Sequence, residues 1–261
     1  MKLVASGLTG TIGVHLDAYN VIPLNQRVNL LTDSVNLEKG DTYFHLAGIV
    51  GPSKVKENIR LATEVNIESV KKIANLSRER GIERFIYVST SHVYKKSNSN
   101  LKEDDEVEPI NLYAEQKLVA EEILKNVFSD SPNQLTILRV FSILGWDTKE
   151  FTLGGAVRRL SHDSSFTLDN GDDVRDFLTP KQAARAIYTI GTSQRVEQTI
   201  NVCTGSGIRI SEAALRMLSS KGDLTSFSRV NAGVSDIPRI VGNPQLLDRI
   251  IGTRLKWEYA E

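Results

Sequence analysis

Residues 2–13 read Lys2-Leu3-Val4-Ala5-Ser6-Gly7-Leu8-Thr9-Gly10-Thr11-Ile12-Gly13, and this stretch decides the fold. A short apolar run, a turn with glycines at 7, 10 and 13, and then a helical start describe a buried strand entering a helix through a tight turn. Glycine at these positions lets the backbone turn, approach a pyrophosphate closely, and bring the helix against the strand. The helix N-terminus then faces the phosphates. Gly7, Thr9, Gly10, Thr11, Ile12 and Gly13 are therefore candidate contacts to a dinucleotide cofactor.

Outward from the turn, the helix has room for about residues 12–19 before Asn20-Val21-Ile22-Pro23-Leu24, which reads as the second strand. Asn25, Gln26 and Arg27 then stand at its carboxyl end. An acid there accepts hydrogen bonds from a ribose 2′-hydroxyl, whereas an arginine accommodates a 2′-phosphate. In this register Arg27 is present and no acid is, so NADP is slightly favoured over NAD. A second register makes residues 28–32 the strand and Asp33 the ribose acid, and Arg27 also reads as a solvated loop residue.

Residues 41–48 supply a further strand ending in Leu46-Ala47-Gly48, small residues where backbone passes close to a ligand. His45, on that buried strand, reads as a hydrogen-bonded core histidine rather than a base. A long helix is expected from about residue 54 or 57 to 80, with Ile59, Leu61, Ala62, Val65, Ile67, Val70, Ile73, Ala74 and Leu76 on its apolar face and Gly81 ending it. Arg84-Phe85-Ile86-Tyr87-Val88 is a strand running into Ser89-Thr90-Ser91-His92-Val93-Tyr94. That places a cluster of hydroxyls at a strand's carboxyl end, where open parallel sheets bind ligands.

A second signal is Tyr113-Ala114-Glu115-Gln116-Lys117. If residues 112–127 are helical, four residues advance about 6 Å and both side chains share a face. Tyrosine has a pKa of about 10, so using it near neutral pH means stabilising the phenolate by about 4 kcal/mol. A neighbouring ammonium supplies part of that. Such spacings also occur by chance on surface helices, so the pair gains meaning only from its surroundings.

Residues 97–109 read as a polar, acidic loop, 135–141 as another buried strand, and 142–146 as its exit at the ligand edge. Strands alternating with helices argue for an α/β, Rossmann-like, doubly wound parallel sheet. Beyond about residue 146 the pattern loosens into helices near 155–160, 180–190 and 211–219 and a short strand near 199–203. The expected division is a dinucleotide-binding domain over 1–145, with returning elements near 176–203, and a smaller mixed C-terminal substrate-binding domain over 146–261.

Bulk composition excludes several function classes. The 261 residues include 32 basic and 32 acidic side chains, so no net field draws nucleic acid or an acidic membrane. The single Cys203 forms no internal disulfide and no cysteine metal cluster, which fits a reducing compartment. No apolar run is long enough to span a bilayer and no signal-peptide segment opens the chain, so a cytoplasmic location is expected, with no metal site.

Together these segments resemble the extended short-chain dehydrogenase/reductase family, in particular its nucleotide-sugar epimerases, dehydratases and reductases. The segment from Gly7 to Gly13 resembles the family's phosphate turn, and His45-Leu46-Ala47-Gly48 its block beside the nicotinamide ribose. Arg84 to Tyr94 resembles the strand that bears the catalytic Ser or Thr, and Tyr113 with Lys117 matches the catalytic pair. Leu138-Arg139-Val140-Phe141-Ser142 resembles the next strand, Val174-Arg175-Asp176-Phe177 the motif whose arginine meets a nucleotide diphosphate, and residues 247–257 the C-terminal end. The resemblance implies hydride transfer between NAD(P) and a sugar carbon. It makes Tyr113 the general acid/base, Lys117 its partner and a ribose ligand, and Thr90 a donor to the same oxygen. It places Ser89 with the cofactor, and Ser91, His92, Ser142 and Arg175 with a nucleotide-sugar substrate.

The departures matter too. Sequence-related dehydratases carry an Asp-Glu pair where this chain has Ser91-His92, so elimination lacks its acid and base. Ser142 replaces an asparagine common in epimerases, Lys95 replaces a glycine, and the N-terminal half is trimmed. The competing expectations are a reductase of a non-sugar carbonyl and a non-catalytic NAD(P)-binding sensor or scaffold. The apolar faces of residues 57–80 and 112–127 permit a homodimer and equally permit burial within one subunit.

Overall fold

The computed structural model describes residues 2–24, 37–150 and 152–257. Its strands, in chain order, are β1 (Leu3–Ser6), β2 (Ile22–Pro23), β3 (Thr42–His45), β4 (Arg84–Thr90) and β5 (Leu135–Val140), then β6 (Ser142–Ile143), β7 (Val174–Leu178), β8 (Thr199–Val202), β9 (Gly207–Arg209) and β10 (Arg239–Ile240). The α-helices are α1 (Pro52–Glu57), α2 (Ile59–Thr63), α3 (Ser69–Arg80), α4 (Leu112–Val127), α5 (Leu153–His162), α6 (Pro180–Thr192), α7 (Ile210–Ser219) and α8 (Gln245–Ile251).

Six strands form one parallel sheet in the order β2-β1-β3-β4-β5-β8. Chain order reverses between β1 and β3, and their carboxyl ends therefore flank the crevice where such sheets take ligands. Both faces of the sheet are covered, which is why its strands read as unbroken apolar runs. Val4, Tyr43, Phe85 and Ile137 face α3 and α4 through Val70, Ile73, Leu124 and Phe128. Their neighbours Ala5, Phe44, Ile86 and Leu138 face the opposite layer, with Leu16, Ile187 and Ile190. The doubly wound α/β expectation is met.

A smaller mixed sheet orders β10-β7-β6 in parallel, with β9 antiparallel to β7. Its own core gathers Leu144, Val157, Leu160, Phe177, Met217 and Trp257. The two sheets meet at the fully buried Asp176 on β7. Its carboxylate accepts from the Thr204 amide at 2.8 Å and hydroxyl at 2.7 Å, from the Gly205 amide at 2.8 Å, and from the Gly242 amide at 3.3 Å.

Two local expectations are corrected and one is met. Residues 12–19 do not form an α-helix but two 3-10 turns, Gly13–His15 and Asp17–Tyr19, and Asn20 ends them in the left-handed region at φ 56°. Eight residues give too little length for a helix that must nucleate and stop almost at once. The long helix after β3 is broken as well, at Asn58 (φ −150°, ψ 81°) and by a π-helical turn over Glu64–Glu68. The extra residue in that turn shifts the register, so Ile59 and Leu61 emerge exposed while Val70, Ile73 and Ala74 stay buried. Finally, β2 pairs Ile22 and Pro23 with β1, in the first of the two registers considered. Arg27, Asp33 and the alternative strand over 28–32 lie outside the described residues.

Candidate active site

The phosphate-type turn leaves β1 at Gly7, whose φ of +80° favours glycine. A Cβ there would also stand 2.5 Å from the Ala47 amide nitrogen, so the loops leaving β1 and β3 touch at this point. At Gly10 a Cβ would meet only the turn's own Gly7 carbonyl, at 3.1 Å, which leaves that side open to a close approach. Among the described residues the amides of Thr11 and Ile12 have no backbone acceptor. Open backbone at a strand's carboxyl end, lined by free N–H groups, fits a bound pyrophosphate even though an α-helical N-terminus is absent. Leu46, Ala47 and Gly48 line the other side of the crevice, with Thr9 exposed and Gly13 buried under the turn.

Helix α4 starts where Asn111 accepts the Ala114 amide at 3.0 Å, so Tyr113 stands in its first turn and Lys117 one turn further on. Tyr113 packs with Val55 of α1, Ala62 of α2 and the half-buried Ile49 and Leu112. Its hydroxyl makes no hydrogen bond among the described residues. Lys117 is buried, and its Nζ lies 4.2 Å from the centre of the Tyr87 ring on β4. It too makes no hydrogen bond among the described residues.

Burial dominates the electrostatics of this pair. Burial pushes the Tyr113 phenol well above its ordinary range. Burial also pushes the Lys117 ammonium down, to about 7, against the pull of Glu121. Both groups are desolvated, and they share no hydrogen bond.

The hydroxyl cluster after β4 divides by direction. Thr90 Oγ1 accepts the His92 amide at 3.3 Å and caps the 3-10 turn Ser91–Val93. The Ser89 hydroxyl instead donates to Glu121, away from the crevice. Ser91 is buried and Ser142 half-buried. The half-buried His92 has a sealed Nδ1 without a partner, and burial together with the facing Arg175 holds its pKa down, to about 4. Arg175 donates to Asp173 at 2.8 Å and to its neighbour's carbonyl, on Val174, at 3.0 Å. Both members of the Arg175–Asp173 pair are mostly buried. His45 is sealed in the core, where the Tyr43 hydroxyl donates to Ser6 Oγ at 2.8 Å and sits 3.0 Å from His45 Nδ1.

Several polar residues absent from the sequence reading hold these parts in place. Asn66, in the π-helical turn, accepts the Ile49 amide at 2.8 Å, and donates to the Ile49 carbonyl at 3.0 Å and to Gln116 at 2.9 Å. It thus ties the loop after β3 to the helix carrying Tyr113. Glu121 is sealed against Arg139 of β5, at 2.8 Å. The spacing 113, 117, 121 on one helix face was the signal for Glu121; Asn66 left none, because the π turn displaces it from any regular period. A cleft of about 560 Å³ opens between α1 and α5, lined by Ser53, Lys54, Glu57, Glu150, Arg158 and His162 among others. Among the described residues, no group of three His, Cys, Asp or Glu gathers to hold a metal ion.

Known proteins resemble this chain in sequence and fold. The family model described as "NAD dependent epimerase/dehydratase family" matches residues 22–203. A GDP-6-deoxy-D-mannose reductase of Pseudomonas aeruginosa is 26% identical over 234 residues, covering 81% of this chain and 77% of the relative. A Bacillus subtilis protein described as an uncharacterized UDP-glucose epimerase, YtcB, is 24% identical over 241 residues, covering 77% and 76%. The solved structure of RMD from Pseudomonas aeruginosa complexed with NADPH superposes with a TM-score of 0.84 at 21% identity, over 98% of this chain and 93% of that one. Fold, crevice and family model agree, and the chain belongs to the NAD dependent epimerase/dehydratase family, as an NAD(P)-dependent enzyme of the extended short-chain dehydrogenase/reductase type.

Proposed function

We propose that the protein oxidises or reduces a carbon of a nucleotide-linked sugar, as a net reductase or as an epimerase through a transient ketone, with Tyr113 moving the proton. The observation that carries this reading is the placement of Tyr113 and Lys117 on successive turns of α4, buried beside the carboxyl end of β4, with neither polar head spent on a hydrogen bond to the described residues. A bound nicotinamide supplies the hydride chemistry. Tyr113 holds a proton at the sugar oxygen that gains or loses it, and its raised pKa suits the donating direction. Lys117 binds the ribose hydroxyls and, while charged, favours the phenolate when the proton leaves. Thr90 uses one lone pair on the His92 amide and keeps its own O–H to donate to the same substrate oxygen. Arg175 has committed two of its N–H groups; the rest meet no acceptor among the described residues and can donate to a diphosphate. Ser91 and His92 leave elimination without its carboxylates.

Around this chemistry, the glycine turn with Leu46, Ala47 and Gly48 holds the dinucleotide, and Ser142 and His92 border the sugar. The exposed Ile59, Leu61 and Val119 on α2 and α4 leave an apolar face that a second copy would cover. The reducing setting read from Cys203 makes the cytoplasm the working compartment.

The test incubates purified protein with UDP-, GDP- and dTDP-sugars and each form of the cofactor, while following reduced-cofactor absorbance and sugar products. Net turnover of reduced cofactor marks a reductase, and product without net turnover marks an epimerase. Tyr113→Phe is expected to lower kcat by about 10²–10⁴-fold with cofactor affinity retained. Undiminished turnover in that variant, or a preference for carbonyls lacking a nucleotide, overturns the proposal.

A further inference from the structure

We propose that Glu121 is a positioning residue for Lys117, a fixed carboxylate one turn along α4 that keeps the lysine in its ammonium form. The catalytic consequence rests on the reading of Lys117 given above; the coupling itself does not.

The geometry leaves the carboxylate little freedom. Residues 113, 117 and 121 follow the i, i+4 spacing, so their side chains share one face of α4. Glu121 is fully buried. Arg139 clamps it through Nη2 at 2.8 Å and Nε at 3.3 Å, and the Ser89 hydroxyl donates to its other oxygen. The guanidinium is itself held by the Glu103 carbonyl at 3.3 Å and by the Tyr94 ring, 4.6 Å away. A carboxylate gripped from the strand side cannot swing to solvent. Its charge stays where it acts on the residue one turn earlier.

Lys117 needs that charge. Burial drives a lysine toward the neutral amine, and a favourable partner is the force opposing it. The groups around Lys117 are Tyr113 and Glu121, one turn to either side on α4, the Tyr87 ring on β4 and His45 on β3, with Ser89 of β4 and Arg139 of β5 bonded to the carboxylate. His45 is sealed and neutral, held down to about 3 by burial and by Lys117 itself, and both tyrosines are held neutral by burial. Among these groups Glu121 is the anion. Its removal therefore moves the lysine further toward the amine, and the pH at which the charge is lost falls.

Lysine labelled with ¹³C at Cε reports this directly by NMR titration of the intact protein, with the Lys117 signal assigned from its loss in Lys117→Met. Glu121→Gln is expected to lower the Lys117 midpoint by about one pH unit, a tenfold change in the ammonium-to-amine ratio. Glu121→Asp, which retains the charge, is expected to restore most of the difference. An unmoved midpoint in a folded Glu121→Gln protein, or an equal fall in Glu121→Asp, overturns the proposal. Should Glu121→Gln fail to fold because it strands the guanidinium, the pair Glu121→Leu with Arg139→Met removes both charges. There a smaller fall is expected, because loss of the more distant Arg139 cation partly offsets it; such a fall supports the proposal, and a fixed or raised midpoint overturns it. The alkaline limb of kcat/KM should move with the NMR midpoint. A midpoint that falls while the kinetic limb stays put supports the coupling and tells against the catalytic role of Lys117.

Discussion

Lys117 sets burial against chemistry within a single side chain. In the folded protein its pKa lies near 7, below the ordinary lysine value of 10.5. Well below pH 7 the lysine is charged in both folded and unfolded chains, and the full penalty of burying the ammonium weighs on the fold. As the pH rises from about 7 toward 10.5 the folded chain sheds the proton first, and that penalty is relieved. Lys117→Met is therefore expected to stabilise the protein by roughly 2–4 kcal/mol near pH 6, with the gain shrinking at alkaline pH, while turnover is lost. Urea denaturation of both proteins at acidic and alkaline pH checks it. The pairing of Tyr113 with Lys117 was legible because i, i+4 spacing survives any ordinary helix. Their electrostatics were not, because a pKa depends on how much water the rest of the chain removes.

At the scale of elements, the segment between β3 and α3 shows how a pattern can be read correctly and placed wrongly. Its apolar residues suggested a single helix, yet the chain breaks at Asn58 and widens at Glu64–Glu68. Reading by a fixed 3.6-residue period cannot register an added residue. The widened turn aims the Asn66 amide at Ile49 and Gln116. Asn66→Ala would leave the Ile49 amide, its carbonyl and the Gln116 oxygen without this partner. The expected cost is about 1–3 kcal/mol of stability, with a rise in KM as the loop over the crevice loses its tie to α4. Thermal denaturation and steady-state kinetics with the nucleotide sugar identified for the native enzyme measure the two effects. The first turn after β1 carries a related lesson: glycine spacing announced a phosphate crevice, and the shortness of the following segment decided that 3-10 turns, not an α-helix, would line it.

For the whole molecule, the large sheet was legible because strands buried on both faces must be apolar throughout, as Tyr43-Phe44 and Phe85-Ile86-Tyr87 are. The smaller layer was less so. Its strands are two to five residues long and depend on side-chain bonds, such as those Asp173 accepts from the Ser235 amide at 2.9 Å and hydroxyl at 2.6 Å, which no periodicity announces. Asp176 is the strongest of these ties. Asp176→Ala strands buried donors from Thr204, Gly205 and Gly242 together and is expected to cost about 3–5 kcal/mol, read from the urea midpoint. The same knot limits how the molecule can move. Thr204 follows a strand of the large sheet and Gly242 follows one of the small sheet, and one carboxylate grips both. The two layers are riveted at this point rather than hinged, because parting them would strip the buried carboxylate of donors from both sides at once.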